Sequence, residues 1–306
     1  MLKRILIVGG TGLLGLNWAI RRSAKDHMIL GLHRRKVKFN DIESAALHPL
    51  DLDKLYAEIQ SLEPDIVVNS AALTSVDLCE SDYEKSKRVN SDIALNVARV
   101  TNSLNIKFVH ISTDHLTSGL EPMQSETSEC QPVNNYAKTK YLGELAVLRE
   151  CPDALCLRTN FFCWGPKYRK SFSDWVLENG RSRTKITMFT NVFYTPIYAG
   201  KLIDACHQLI ETEASGVFNI SSSDRVSKYE FGRRLLKKFE LNDDIVVPGE
   251  YDANSGVARP LDMSLDNSKF TNLFSDAGFS VDEGIEALKI EDSYRSDLQK
   301  VTVLSG

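Results

Sequence analysis

Along the first 160 residues, short apolar runs alternate with longer stretches whose apolar positions recur every three or four residues. Residues 5–8, 28–32, 65–69, 108–111 and 154–158 read as short strands. Residues 13–25, 52–62, 80–103 and 134–149 read as helices, the third carrying Val89, Ile93, Leu95, Val97 and Val100 on its apolar positions. Strands that are apolar throughout are buried on both faces, and the amphipathic segments between them supply the cover. The pattern therefore predicts an α/β chain with a parallel sheet.

After Thr159 the rhythm changes. Residues 161–185 read as polar and irregular, with Trp164, Trp175 and a basic cluster. A strand follows at 186–189, a helix at 197–210, a last buried strand at 216–220, and helices at 228–239 and 280–296. This predicts a first domain of residues 1–160 plus returning segments at about 196–222, and a smaller lobe from residues 161–195 and 223–306. No internal repeat or low-complexity linker is present.

Composition narrows the class. The 306 residues are 42% apolar and 25% charged, with a net charge of −4. That fits a soluble globular protein and argues against a dedicated nucleic-acid binder or a disordered chain. The six cysteines form no CxxC pair and the six histidines no HExxH, so no metal site is expected. The thiols read as reduced and the location as cytoplasmic. No apolar run reaches the length of a bilayer span, so no membrane partner is expected. The basic head Met1–Arg4 and the apolar stretch after it resemble a signal peptide, but there is no small-residue cleavage site. Three spaced glycines interrupt the stretch, and they have a better explanation.

Gly9-Gly10-Thr11-Gly12-Leu13-Leu14-Gly15 closes the first strand and opens the first helix. Gly9, Gly12 and Gly15 let the chain turn sharply, let backbone N–H groups approach a pyrophosphate, and let the helix pack on the sheet. The competing reading is an ordinary turn; the strand before and the helix after favour a dinucleotide. The expected fold is thus a Rossmann-type doubly wound sheet with a smaller C-terminal substrate-binding lobe. At the end of the second strand, where an acidic residue grips the ribose of NAD, this chain has His33-Arg34-Arg35-Lys36. Arginines there bind a 2′-phosphate, so NADP(H) is expected over NAD(H). The plain alternative is a solvated basic turn. Asp51 and Leu52 are placed to meet the adenine, and Ala71 and Ala72 let a cofactor lie against backbone.

Tyr136 and Lys140 form a YxxxK pair on one helix face. An ammonium beside a phenol lowers its pKa and readies it for proton transfer. Tyr83 and Lys87 have the same spacing but no hydroxyl partner at a strand end, and read as surface. Ser112-Thr113-Asp114-His115 follows the strand at 108–111, at the sheet end where ligands bind. The Thr113 hydroxyl can polarise a carbonyl beside Tyr136. A capping role is the commoner use of such residues. His115 reads as a substrate contact.

Together these motifs resemble the extended short-chain dehydrogenase/reductases, and within them the dTDP-4-dehydrorhamnose reductase family. The resemblance runs from residue 5 to about 270. It rests on Gly9 to Gly15, Val67 to Ala72 with Val76-Asp77, Val109 to Asp114, Pro132 to Lys140 with Gly143-Glu144, Leu157-Arg158-Thr159, Arg259-Pro260, and Leu265-Asp266 with Lys269. It implies NADPH-dependent reduction of a nucleotide-linked 4-keto-6-deoxy sugar, with Thr113, Tyr136 and Lys140 catalytic. It places Asp114, His115, Phe161 and Arg259 on the substrate, and a homodimer is an assembly it leaves open. Two positions depart from the family: His115 stands where tyrosine is common, and Phe161 where tryptophan is common. Two rival resemblances remain. One is the regulatory β subunit of methionine adenosyltransferase, which shares the glycine loop and the Arg-Arg. The other is a nucleotide-sugar dehydratase or epimerase, in which a glutamate usually stands at the position of His115.

Overall fold

The computed structural model describes residues 2–33, 35–252, 256–274 and 279–304. Seven strands build the central sheet: β1 (Arg4–Val8), β2 (His27–Leu32), β3 (Glu43–Ala46), β4 (Ile66–Asn69), β5 (Lys107–Ile111), β6 (Leu155–Arg158) and β7 (Gly216–Asn219). They lie in the order β7-β6-β5-β4-β1-β2-β3, and every pair is parallel. Alternation along β1 explains the layering. Ile5 and Ile7 join one buried cluster, while Leu6 and Val8 join another on the opposite face. Helices α1 (Leu13–Arg22), α2 (Leu52–Leu62), α3 (Ile93–Ser103) and α4 (Asn135–Glu150) supply the cover. The expected doubly wound sheet is therefore present.

Strand order sets the position of the cleft. The chain moves outward from β1 to β3, then returns to lay β4 on the other side of β1, which opens a crevice between their carboxyl ends. Val8 is in register with Asn69, so the segments after them leave the sheet side by side. Gly9 there has φ +83°, and a Cβ on it would sit 2.7 Å from the Ala71 backbone nitrogen. No other residue fits that conformation and that approach.

The single helix expected over 80–103 is broken. Val76–Ser81 and Tyr83–Lys87 are separate short helices, a π-type turn spans Arg88–Asp92, and α3 follows. Asp82 interrupts the first pair with an extended φ of −143°, and its side chain caps the next helix at the Lys85 N–H. The Asn90 side chain accepts from the Leu73 N–H at 2.7 Å and donates to the Leu73 carbonyl at 3.2 Å. The π turn lets Asn90 reach that loop, which a regular helix would carry past. Against the same turn packs Gly143 of α4.

The polar stretch expected to be irregular contains α5 (Phe172–Ser182). Ser171 and Asp174 form a reciprocal capping box ahead of Val176 and Leu177. That cap was the readable signal, masked by the polar residues around it. In the lobe, Ile186–Phe189 pairs with Val246–Gly249, and Phe193–Tyr194 pairs with Val226–Ser227. Helices α6 (Ala199–Glu211) and α7 (Lys228–Lys238) follow, the latter behind a second capping box.

The C-terminal segment, expected wholly in the lobe, also reaches the sheet half. Arg21 of α1 pairs with Asp204 of α6 and with Glu291. Thr302–Val303 pairs antiparallel with Val37–Lys38. Contacts with both halves join them through one continuous apolar cluster. Among the described residues, no helix is long and apolar enough to cross a membrane, and all six cysteines are free.

A Cβ on Gly143 would come 2.4 Å from the Asn90 carbonyl oxygen. Gly143→Ala is expected to lose about 1–3 kcal/mol of stability despite alanine's better helix propensity. Urea unfolding measures it, and an unchanged midpoint would show that α4 moves freely against the π turn.

Candidate functional site

The glycine turn leaves the start of α1 open. Gly12 is the N-cap and has no side chain to occupy the first N–H groups, while the Gly12 N–H is bonded back to the Gly9 carbonyl at 2.9 Å. A free helix N-terminus at the mouth of a crevice favours an anion. A cavity of about 460 Å³ begins here, lined by Gly9, Thr11, Gly12, His33, Arg35, Ala71 and Ala72. Leu13 and Leu14 line a second cavity of about 440 Å³, which shares Gly12, Ser70 and Ala72 with the first. The two form one cleft along the strand ends.

Some expected contacts take other roles. Gly15 lines neither cavity; a Cβ on it would meet the Gly9 carbonyl at 2.9 Å, so it permits packing. Asp51 caps α2 at the Lys54 N–H and pairs with the Lys54 ammonium at 3.1 Å. Leu52 is exposed, and neither residue lines the first cavity. Leu47 and Pro49 stand at that wall instead. The chain turns before Asp51 to begin α2, which carries both side chains outward. Arg34 lies outside the described residues.

The second cavity gathers Thr113, Asp114, His115, Tyr136, Lys140, Phe161 and Arg259. Asn134 caps α4 at the Ala137 N–H, which fixes the first turn and hence Tyr136. The Tyr136 hydroxyl donates to the Thr113 hydroxyl oxygen at 3.2 Å. Lys140, one turn further on, donates from Nζ to the Ile111 carbonyl at 2.6 Å. The expected lowering of the tyrosine pKa by this lysine is not what dominates. Burial pushes the Tyr136 phenol well above its usual range, and the bond with Thr113 only partly opposes that. Burial pulls the Lys140 ammonium down to about 8, with the Glu144 carboxylate opposing. The phenol therefore holds its proton. Tyr83 is exposed, and the Tyr83–Lys87 pair lines neither cavity.

Beneath the pair lies a buried network. Ser112 donates to Glu144 at 2.6 Å, and Arg158 pairs with Glu144 at 2.6 Å. Asp114 accepts from the Asn160 amide at 2.7 Å. His115 meets the Tyr136 ring edge-on, with ring centres 5.4 Å apart. Its Nδ1, like the Thr159 hydroxyl, is buried without a hydrogen-bond partner among the described residues. Arg259 reaches across to Asp77 at 3.0 Å.

Three contributors escaped the sequence reading. The Tyr168 hydroxyl donates to the Thr11 carbonyl at 2.9 Å, and the Arg35 guanidinium lies 4.4 Å above its ring. Arg169 lines both cavities and donates to the Thr74 hydroxyl at 3.3 Å. The basic cluster after Trp164 was the available sign of both. The third is Lys228, at the start of α7, which lines a further cavity of about 320 Å³ with His115 and Arg259.

Residues 3–289 match the family described as the RmlD substrate binding domain. The chain belongs to this family. Among relatives, it is 30% identical to a dTDP-4-dehydrorhamnose reductase of Burkholderia thailandensis over 80% of each chain. It is 27% identical to methionine adenosyltransferase 2 subunit beta of Danio rerio, over 95% of this chain and 90% of that one. The crystal structure of a dTDP-4-dehydrorhamnose reductase from Bacillus anthracis in complex with NADP superposes with a TM-score of 0.80. At 24% identity, covering 95% of this chain and all of that one, it shares the fold.

An unfolded lysine titrates near 10.4, well above Lys140 in the fold. Between the two values the unfolded chain holds a proton that the folded chain has released, so this group adds stability as pH rises. Buried thiols and phenols act in the opposite direction, so the signal is a difference. Relative to Lys140→Met, the ligand-free wild type is expected to gain stability from pH 8 to about 10. Urea midpoints across that window test it; parallel profiles would place the lysine's proton release elsewhere.

Proposed function

We propose that this chain is an NADPH-dependent reductase of a nucleotide-linked 4-keto-6-deoxy sugar. The observation that carries the reading is the 3.2 Å contact between the Tyr136 and Thr113 hydroxyls at the wall of the cleft that begins at the glycine turn. The residues present suit a dinucleotide. Side chains at Gly9 and Gly12 would fill the turn, and the α1 N-terminus, Thr11, Ala71 and Ala72 would hold the pyrophosphate and backbone-facing surfaces. NADPH, when bound, supplies hydride to the carbonyl carbon. Thr113 fixes the carbonyl oxygen by its hydroxyl. Tyr136 gives its proton to that oxygen as negative charge develops there. Lys140 offsets the charge left on the phenol and would hold the nicotinamide ribose.

His33 and Arg35 support NADP(H) over NAD(H), because both line the first cavity and Arg35 is braced on the Tyr168 ring. Free thiols support a cytoplasmic enzyme. The regulatory-subunit reading draws on the relative that spans 95% of this chain. Co-purification with a methionine adenosyltransferase, without turnover of any keto sugar, would favour it. His115 in place of a glutamate base weighs against a dehydratase.

NADPH oxidation against a panel of dTDP-, UDP- and GDP-linked 4-keto sugars tests the reading. With the accepted sugar, Tyr136→Phe is expected to lower kcat by about 10²–10⁴. Full turnover in that variant would reject the proton-donor role. Arg35→Asp is expected to raise KM for NADPH by about tenfold or more while leaving NADH less affected. An unchanged cofactor preference would remove Arg35 from 2′-phosphate recognition.

A further inference from the structure

We propose that Lys228 is the anion-binding residue of the lobe pocket and selects substrates that present an acidic group there. The inference deepens the reductase reading and rests on it for the kind of ligand.

The pocket of about 320 Å³ continues from the catalytic cavity through His115, Phe172 and Arg259, which line both. Lys228 stands on its wall. Its backbone is fixed: the N–H donates to the Val192 carbonyl at 2.9 Å, and Ser227 and Glu230 cap α7 around it. The side chain is laid on aromatic faces, with Nζ 3.2 Å from the Tyr194 ring centre and 5.4 Å from that of Phe172. No described residue hydrogen-bonds to this ammonium or pairs with it; Asp114 acts on it only at longer range. Arg259, in contrast, is already paired with Asp77.

An ammonium on a pocket wall without a carboxylate partner keeps its N–H groups for water or for a ligand. Aromatic faces hold such a cation in place but leave its N–H groups unsatisfied, since a ring supplies only weak acceptors. His115 lines the same pocket, and its buried Nδ1 has no hydrogen-bond partner among the described residues. The Lys228 ammonium is thus held at the pocket wall by the rings beside it and is open to an anionic ligand. A phosphate oxygen of the nucleotide or a carboxylate on the sugar has the chemistry to be that ligand, because either accepts charge-assisted hydrogen bonds.

The test is calorimetric titration of the full chain saturated with NADP⁺, using UDP, dTDP, UDP-glucose and UDP-glucuronate as probes. Wild type, Lys228→Met and Lys228→Arg are compared. Lys228→Met is expected to bind at least one probe about tenfold or more weakly, and Lys228→Arg to keep most of the affinity. A loss already present with UDP or dTDP assigns the contact to the phosphates; a loss confined to UDP-glucuronate assigns it to a sugar carboxylate. Equal binding of every probe by wild type and Lys228→Met overturns the proposal, as does a wild type that binds none of them. An NADP⁺ titration in each variant reports whether the fold is intact. Because the readout is binding, Lys228 can fail here while Tyr136-dependent NADPH oxidation still stands, and the reverse.

Discussion

A buried carboxylate holds the wall of the cleft together. Glu144 lies on α4 one turn beyond Lys140, and it is met by Ser112 from the end of β5 and by Arg158 from the end of β6. Three elements that diverge in sequence are thereby tied at one point, directly under the hydroxyl of Thr113 and the phenol of Tyr136. Both charges are almost wholly removed from solvent. Such a pair adds little net stability over apolar packing, yet losing one partner costs about 3–5 kcal/mol because the other charge is stranded. Its value lies in geometry: the strand ends cannot slide relative to the helix without breaking it. Glu144 also tempers the loss of charge on Lys140, so the same group positions one side of the site and tunes the other.

The sheet half was legible because its rules are local. Fully apolar runs, a glycine turn between strand and helix, and an asparagine cap before Tyr136 each act within a few residues. They were enough to bring Thr113, Tyr136 and Lys140 to one cavity wall. Where the reading failed, the deciding contact came from far along the chain. The expected long helix breaks because Asn90 is claimed by the Leu73 backbone and by the approach of α4. Leu47 and Pro49 line the first cavity where Asp51 and Leu52 were expected, because Asp51 caps α2 three residues on. Tyr136 is governed by desolvation, which no spacing reveals, more than by the lysine one turn away.

The lobe was harder to read for a physical reason. Its strands are two to four residues long and pair with distant partners, so no run is long enough to show a period. Its first helix is polar on most of its surface, and only the Ser171–Asp174 cap marks where it starts. Tyr168 and Arg169 were signalled only by the basic cluster after Trp164, and Lys228 not at all. Residues of this kind, on short elements at the rim of a cleft, are the ones free to differ between chains that share a sheet.

The pairing of Thr302–Val303 with Val37–Lys38 bears on how the molecule is made. Residues about 265 positions apart must meet to finish the segment that follows the basic turn, and Arg21 in the first helix waits for Asp204 and Glu291. During synthesis the strands around the glycine turn emerge before the segments that complete their surroundings. Contacts of such separation slow folding and leave apolar edges uncovered in the interval. The sheet strands made early thus wait for a distant later segment before their surroundings close.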